Sequence, residues 1–324
     1  MFIVTGGAGF IGSAVVWQLN RQGIDDILVV DRLGETEKWR NLVPLRYRDY
    51  LRKDRFLAQV AEDRVPFAVD GVIHMGACSA TTERDGDYLM ENNFHYSCRV
   101  AEWAVANGIP MIYASSAATY GDGSLGFSDD DALSPRLRPL NFYGYSKQLF
   151  DLWVLRKGWE KKLAGLRFFN VFGPNEYHKG DMRSVALKSF EQIQDGGRVR
   201  LFRSYRPPYG DGDQMRDFVY VKDAVDVIWW LVEHPEVRGI FNVGTGRART
   251  WNDLVRAVFK AAGKEPAVDY VEMPESLRGQ YQYFTEAPME KLARAGYPLA
   301  FRSLEEAVAD YVTGYLMTEN PRLK

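Results

Sequence analysis

Two cysteines in 324 residues, Cys78 and Cys98, are too few for a disulfide framework or a four-cysteine zinc site. The four histidines, His74, His95, His178 and His234, show no metal-ligand spacing, so no metal is expected. Neither sign of charge is in excess. The chain has 41 Lys and Arg against 43 Asp and Glu, a net charge of −2, which argues against nucleic acid as a partner. No apolar run reaches the length of a membrane span. The first residues already read as a strand, with no basic n-region and no cleavage site, so a reducing cytoplasmic setting is expected. Repeats and low-complexity linkers are missing too. What remains is 46% hydrophobic and 26% charged, enough for one large α/β domain, or one and a half, with a sizeable core.

The start of the chain is informative. Four strand-forming residues run into Thr5-Gly-Gly-Ala-Gly-Phe-Ile-Gly12, and helical periodicity begins at once. Gly6, Gly9 and Gly12 stand three apart. A tight strand-to-helix turn needs a residue without Cβ, and so does close approach of backbone amides to a pyrophosphate. A second apolar strand ends at Asp31, nineteen residues beyond Gly12, where an acidic side chain can meet ribose hydroxyls. Arg32 and Lys38 follow it and can neutralise a 2′-phosphate. The residues thus leave NADP and NAD both open.

Strands and helices then alternate. Helical patterns are read near residues 13–22, 55–62, 90–107, 252–262 and 303–317. Strands are read at 27–31, 69–75, 110–115, 218–221 and 240–243, the last completing the sheet. This βα rhythm predicts a Rossmann-type doubly wound parallel sheet with ligands outside the carboxyl ends of its strands. A smaller C-terminal substrate-binding domain is expected. The cofactor domain is placed at residues 1–170 plus about 217–245, the substrate domain at about 171–216 and 246–324. Residues 135–139 and 203–213 read as irregular, the second as a substrate loop.

Chemistry enters with Ser115-Ser-Ala-Ala-Thr-Tyr-Gly121 after a strand and Tyr143-Gly-Tyr-Ser-Lys147 opening a helix. Tyr143 and Lys147 are four apart and share one helical face. An ammonium near a phenol favours the phenolate, which can take a proton from an alcohol undergoing oxidation. Ser116 can hydrogen-bond the same oxygen. Substrate phosphates need cations, for which Arg203, Arg206 and Arg216 are candidates; Tyr281 or Tyr283 can pack on a sugar or base.

These motifs resemble the extended short-chain dehydrogenase/reductase family nearly from end to end. Further marks are Arg167-Phe-Phe-Asn-Val-Phe-Gly-Pro174, Arg216-Asp-Phe-Val-Tyr-Val-Lys-Asp223 and Phe241-Asn-Val-Gly-Thr-Gly246. Members act mostly on nucleotide-linked sugars. The resemblance implies Ser116, Tyr143 and Lys147 as the catalytic set, with Asn170 and Arg216 near the sugar nucleotide.

Within the family, Gly76-Ala-Cys-Ser79, Tyr177-His-Lys-Gly180 and Arg278-Gly-Gln-Tyr-Gln-Tyr-Phe-Thr285 resemble members that invert C6″ of an ADP-linked heptose for lipopolysaccharide synthesis. That likeness implies a second acid/base, Lys179, facing the carbon opposite Tyr143. It implies Phe10, Ile11, Lys53, Met75, Gly76, Ala77, Cys78, Ser79, Asn92, Val171 and Lys179 as further cofactor contacts, with NADP the usual cofactor. Around the substrate it implies Asn170, Asp181, Lys188, Phe202, Arg203, Ser204, Tyr205, Arg216 and Tyr281. A homo-oligomer, a pentamer by analogy, is expected as well. Arg32, Asp181 and Lys188 depart from the residues usual at their positions. Ala117 and Ala118 stand where 4,6-dehydratases carry an Asp-Glu pair. A UDP-sugar 4-epimerase is the alternative activity, and a cofactor-sensing binding protein without turnover a more distant one.

Overall fold

The computed structural model describes residues 1–278 and 281–324, so Gly279 and Gln280 of the 278–285 motif lie outside the described residues. Seven strands make the central sheet: β1 (Phe2–Thr5), β2 (Ile27–Asp31), β3 (Asp49–Arg52), β4 (Gly71–His74), β5 (Met111–Ser116), β6 (Leu163–Phe168) and β7 (Gly239–Val243). Their spatial order is β7-β6-β5-β4-β1-β2-β3, and every pairing is parallel. The order reverses between β1 and β4, which opens a crevice at the carboxyl ends of those strands.

Both faces of the sheet are covered, which is why the strands read as apolar runs rather than alternations. Along β2, Ile27 and Val29 join one core while Leu28 and Val30 join the other. The first core takes the helices Phe10–Arg21 and Val221–Glu233; the second takes Lys53–Ala61, Tyr96–Ala106 and part of Phe142–Arg156. Burying each such aliphatic side chain contributes about 1.5–3 kcal/mol.

Helix Phe142–Arg156 is capped by Asn141, whose side chain accepts from the Gly144 N–H at 2.8 Å. Its far side is pinned to the sheet by a fully buried ion pair. Arg167 on β6 donates through Nε to Asp151 at 2.9 Å, and both side chains are 0% exposed. Ser115 and Tyr113 on β5 donate to the same carboxylate, at 2.9 and 3.2 Å. The other guanidinium nitrogens reach Ser134 and Tyr120. Every charge is therefore satisfied, as a buried pair requires.

After β6 the chain leaves the sheet. Asn170–Phe172, Met215–Tyr220 and Ala248–Thr250 form a three-stranded sheet, and Val199–Phe202 pairs with Val268–Val271. The strand expected at 218–221 thus belongs to a small sheet and starts at Met215. Residues 203–213 carry no regular element, as expected. The stretch at 135–139 is less irregular than expected, because Pro135 sits inside the 3-10 helix Asp131–Arg136. The helix expected from residue 90 begins earlier, at Gly86–Leu89, and passes through a π-helical stretch, Met90–His95, before Tyr96–Ala106. No helix among the described residues is long and apolar enough to cross a membrane.

Candidate active site

A cavity of about 560 Å³ opens at the carboxyl ends of β1, β4, β5 and β6. Gly6, Gly9, Phe10, Ile11 and Gly12 form its floor. Gly6 has φ 66°, and a Cβ there would lie 2.8 Å from the Gly76 backbone. A Cβ on Gly12 would fall 2.0 Å from the Gly6 carbonyl oxygen, so helix and turn meet without room for a side chain. The helix that follows has no side-chain cap, and its first residues, Phe10, Ile11 and Gly12, line the cavity. Such a cradle fits a pyrophosphate at a helix N-terminus.

Asp31 closes one side. It is 8% exposed and accepts from the Ala8 N–H at 2.9 Å, the Arg32 N–H at 2.6 Å and the Lys38 ammonium at 2.6 Å. The same carboxylate therefore braces the glycine turn and holds the Lys38 cation at the cavity. Lys53 donates to Asn92 at 2.7 Å, and burial lowers its pKa. Met75, Gly76, Ala77, Ser79 and Asn92 line the cavity wall after β4. Cys78 is outside that lining; its backbone makes a two-way hydrogen bond with the side chain of Asn93.

Ser116, Tyr143, Lys147, Asn170, Val171 and Lys179 also line the cavity. Ser116 pulls the Tyr143 phenol's pKa down, but burial outweighs that pull and holds the pKa above the ordinary value. Lys147 is the group expected to favour the phenolate. In the structure its ammonium donates to the Ala114 carbonyl at 2.7 Å, and burial brings its pKa down to about 8, against the opposing pull of Asp151. Lys179 lies with its ammonium 5.2 Å from the Phe10 ring centroid, half-buried. Burial lowers its pKa, with Glu176 pulling the other way, so this amine gives up its proton more readily than a solvated lysine.

His178, not a candidate above, lines the cavity beside Lys179; burial brings its pKa to about 4, so it is neutral at pH 7. Thr36, Tyr88, Met182, Arg183, Ser184 and Trp251 also line it. Their signal in the sequence is weak, for each reads as a loop, cap or core residue.

The remaining substrate candidates form a second group. Arg216 is 7% exposed, with its guanidinium 5.1 Å from the Tyr281 ring and 5.5 Å from Trp251. Trp251 donates to the Tyr281 hydroxyl at 2.9 Å and also lines the cavity, so this group abuts it. Phe202 packs edge-on against Tyr281, and the Tyr205 N–H donates to Tyr283. Tyr283 is buried, which leaves Tyr281 the better placed of the two. Arg203 and Arg206 are exposed on the loop with Ser204. Asp181 and Lys188 pair with each other at 2.6 Å, through the Asp181 carbonyl. None of these lines the cavity itself.

Comparison with known proteins gives a consistent result. Residues 2–244 match the model of the NAD dependent epimerase/dehydratase family. The chain is 62% identical over 323 residues to an ADP-L-glycero-D-manno-heptose-6-epimerase of Nitratidesulfovibrio vulgaris, covering 100% of both. It is 48% identical to one from Fusobacterium nucleatum, again over 100% of both chains. Among solved structures, the Helicobacter pylori ADP-L-glycero-D-manno-heptose-6-epimerase superposes with a TM-score of 0.80 at 27% identity, over 97% of this chain and 95% of that one. A Thermus thermophilus UDP-glucose 4-epimerase in complex with NAD reaches 0.74 at 25% identity, over 96% and 97%.

Proposed function

The chain belongs to the NAD dependent epimerase/dehydratase family, and we propose that it inverts C6″ of ADP-D-glycero-D-manno-heptose to give the L-glycero epimer, in lipopolysaccharide precursor synthesis. The names of its full-length relatives support the substrate. One observation supports the chemistry: Tyr143 and Lys179, on different elements, line one cavity together with the glycine turn.

NADP is the cofactor in this reading, held by Gly6, Gly9, Gly12, Asp31, Arg32, Lys38 and Lys53. When bound, it supplies the oxidation at C6″ and the re-reduction on the other face. The protein supplies the proton traffic. Tyr143, steadied by Ser116, takes or returns the hydroxyl proton on one face. Lys147, held at the Ala114 carbonyl, fixes the local charge. Lys179, partly desolvated, serves the opposite face, which a single phenol cannot reach. Arg216, Tyr281 and the loop from Phe202 to Tyr205 are the substrate's neighbours. Residues 171–216 and 246–324 then act as a substrate domain against a cofactor domain of residues 1–170 and 217–245. Ala117 and Ala118 sit in the short helix Ala117–Tyr120 directly after Ser116 and offer no acid or base for loss of water.

Incubation with ADP-D-glycero-D-manno-heptose and, separately, UDP-galactose, with the epimers resolved by chromatography, tests this. Inversion of the heptose alone is expected. Turnover of UDP-galactose alone would establish a 4-epimerase instead.

A further inference from the structure

Asn41 has entered no role so far, yet it joins two segments of the site to its own. It closes the 3-10 helix Glu37–Asn41, which carries Lys38, and it is 1% exposed. Its amide nitrogen donates to the Ala8 carbonyl at 3.1 Å and to the Asn175 carbonyl at 3.0 Å. His178 Nδ1 is 3.4 Å from the same nitrogen. Carbonyl oxygens only accept, so these partners fix which way the amide points. Ala8 belongs to the glycine turn, and its own N–H is held by Asp31.

Asn175 makes a second tie. It is fully buried with φ 79°, in the left-handed region that asparagine tolerates better than most residues. Its side chain donates to the Ser13 hydroxyl at 2.9 Å, on the first helix. Lys179 follows four residues later, and its backbone N–H bonds to the Glu176 carbonyl. The turn bearing Lys179 is thus fastened at two points to the first βα unit. None of these bonds involves the helix that carries Tyr143.

We propose that Asn41 is a positioning residue for Lys179, registering this amine against the glycine turn. The inference rests on the two-base reading above. Two acid/base groups that serve opposite faces of one carbon must each keep their distance from the bound pyridine ring. Tyr143 gets its register from β5 through its own helix. Lys179 sits in the short 3-10 segment Tyr177–Met182, which is kinked at Gly180, and needs an outside reference. Asn41 supplies one, through the same turn that fits the cofactor's phosphates. A displacement of about 1 Å at such a group can cost on the order of 100-fold in rate.

The test uses Asn41→Leu, which keeps the shape and removes the donors. Cofactor content, thermal unfolding and heptose kinetics are measured. So is the rate at which an amine-reactive anhydride labels Lys179 and Lys147, resolved by mass spectrometry. With cofactor content and KM near those of the parent, kcat is expected to fall roughly 10- to 100-fold. Lys179 is expected to label faster while Lys147 does not change. Parent-like kcat and parent-like Lys179 labelling would overturn the proposal. Should Asn41→Leu lose its cofactor or its fold, Ser13→Ala, which cuts the Asn175 tie along with Ser13's own bond to the Phe10 carbonyl, must show the same two changes in smaller degree with cofactor content unchanged. Parent-like values there would equally overturn it. Lys179→Met separates the two layers. Full turnover in that variant removes the two-base reading itself. An inactive Lys179→Met beside a parent-like Asn41→Leu removes only the role of Asn41.

Discussion

The ammonium of Lys38 lies 2.6 Å from a carboxylate oxygen of Asp31, and that carboxylate also holds the Ala8 N–H of the glycine turn. The acidic residue suited to ribose hydroxyls and the cation suited to a 2′-phosphate are thus parts of one contact. A phosphate entering there would share the lysine with Asp31 instead of meeting the carboxylate bare. Lys38→Met should therefore weaken NADP more than NAD. A hydrogen bond to a charged group is worth about 1.5–3 kcal/mol, or roughly 10- to 100-fold. Dissociation constants for both cofactors, measured by fluorescence quenching, check this; equal losses for the two would take Lys38 away from the phosphate.

Tyr143→Phe keeps the ring and removes the proton carrier. Turnover should drop by about 10²–10⁴-fold while the cofactor stays bound. A variant within a few-fold of the parent rate would show that the phenol is not the acid/base.

Asp151→Ala leaves Arg167 as an unpaired buried cation and frees the helix that carries Tyr143 and Lys147. Breaking a buried pair from one side costs about 3–5 kcal/mol. Urea unfolding should show a loss of that size, and a change below about 1 kcal/mol would contradict the bracing role.

Acid should weaken the fold over a defined range. Burial holds His74 at a pKa of about 3 and His178 at about 4, against about 6.5 in an unfolded chain. Between those values the unfolded state carries the extra protons, so stability falls as pH drops from about 6.5 towards 4 and 3. Each group contributes up to about 1.4 kcal/mol per pH unit, less for His178, which keeps some contact with water. His74 is held between Thr5 and Ser97. His74→Asn should flatten part of this slope in urea titrations at stepped pH, and an unaltered slope would count against the assignment.

Much of the cofactor half is legible in the sequence because its signals are local. Ile27–Asp31 is predicted to the residue, since a strand buried on both faces reads as an unbroken apolar run up to the aspartate that ends it. Glycines three apart predict the cradle because only a missing Cβ fits there. The helical run predicted from Met90 starts four residues earlier, at Gly86, a poor helix former, and continues through the π-helical Met90–His95 into Tyr96–Ala106. Other features depend on distant partners. Asn41 reads as a loop residue after Glu37-Lys-Trp-Arg40, and its contacts lie 33 and 134 residues away. The charge on Lys147 is set by burial that no spacing reveals. Arg216 and Tyr281 stand beside the cavity and not in it, because the small sheet that carries Arg216 is built from three separated pieces of chain.

The last strand of the large sheet has a consequence for synthesis on the ribosome. Leu163–Phe168 can pair with its outer neighbour only after residues 169–238 have been translated and Gly239–Val243 has emerged. At about 5–20 residues per second, that delay lasts several seconds. Throughout it the nascent polypeptide presents an apolar strand with one row of amides and carbonyls unmatched, a template for joining another unfinished chain. Cellular yield should therefore depend on elongation speed and chaperone supply across this interval more than on any step before it.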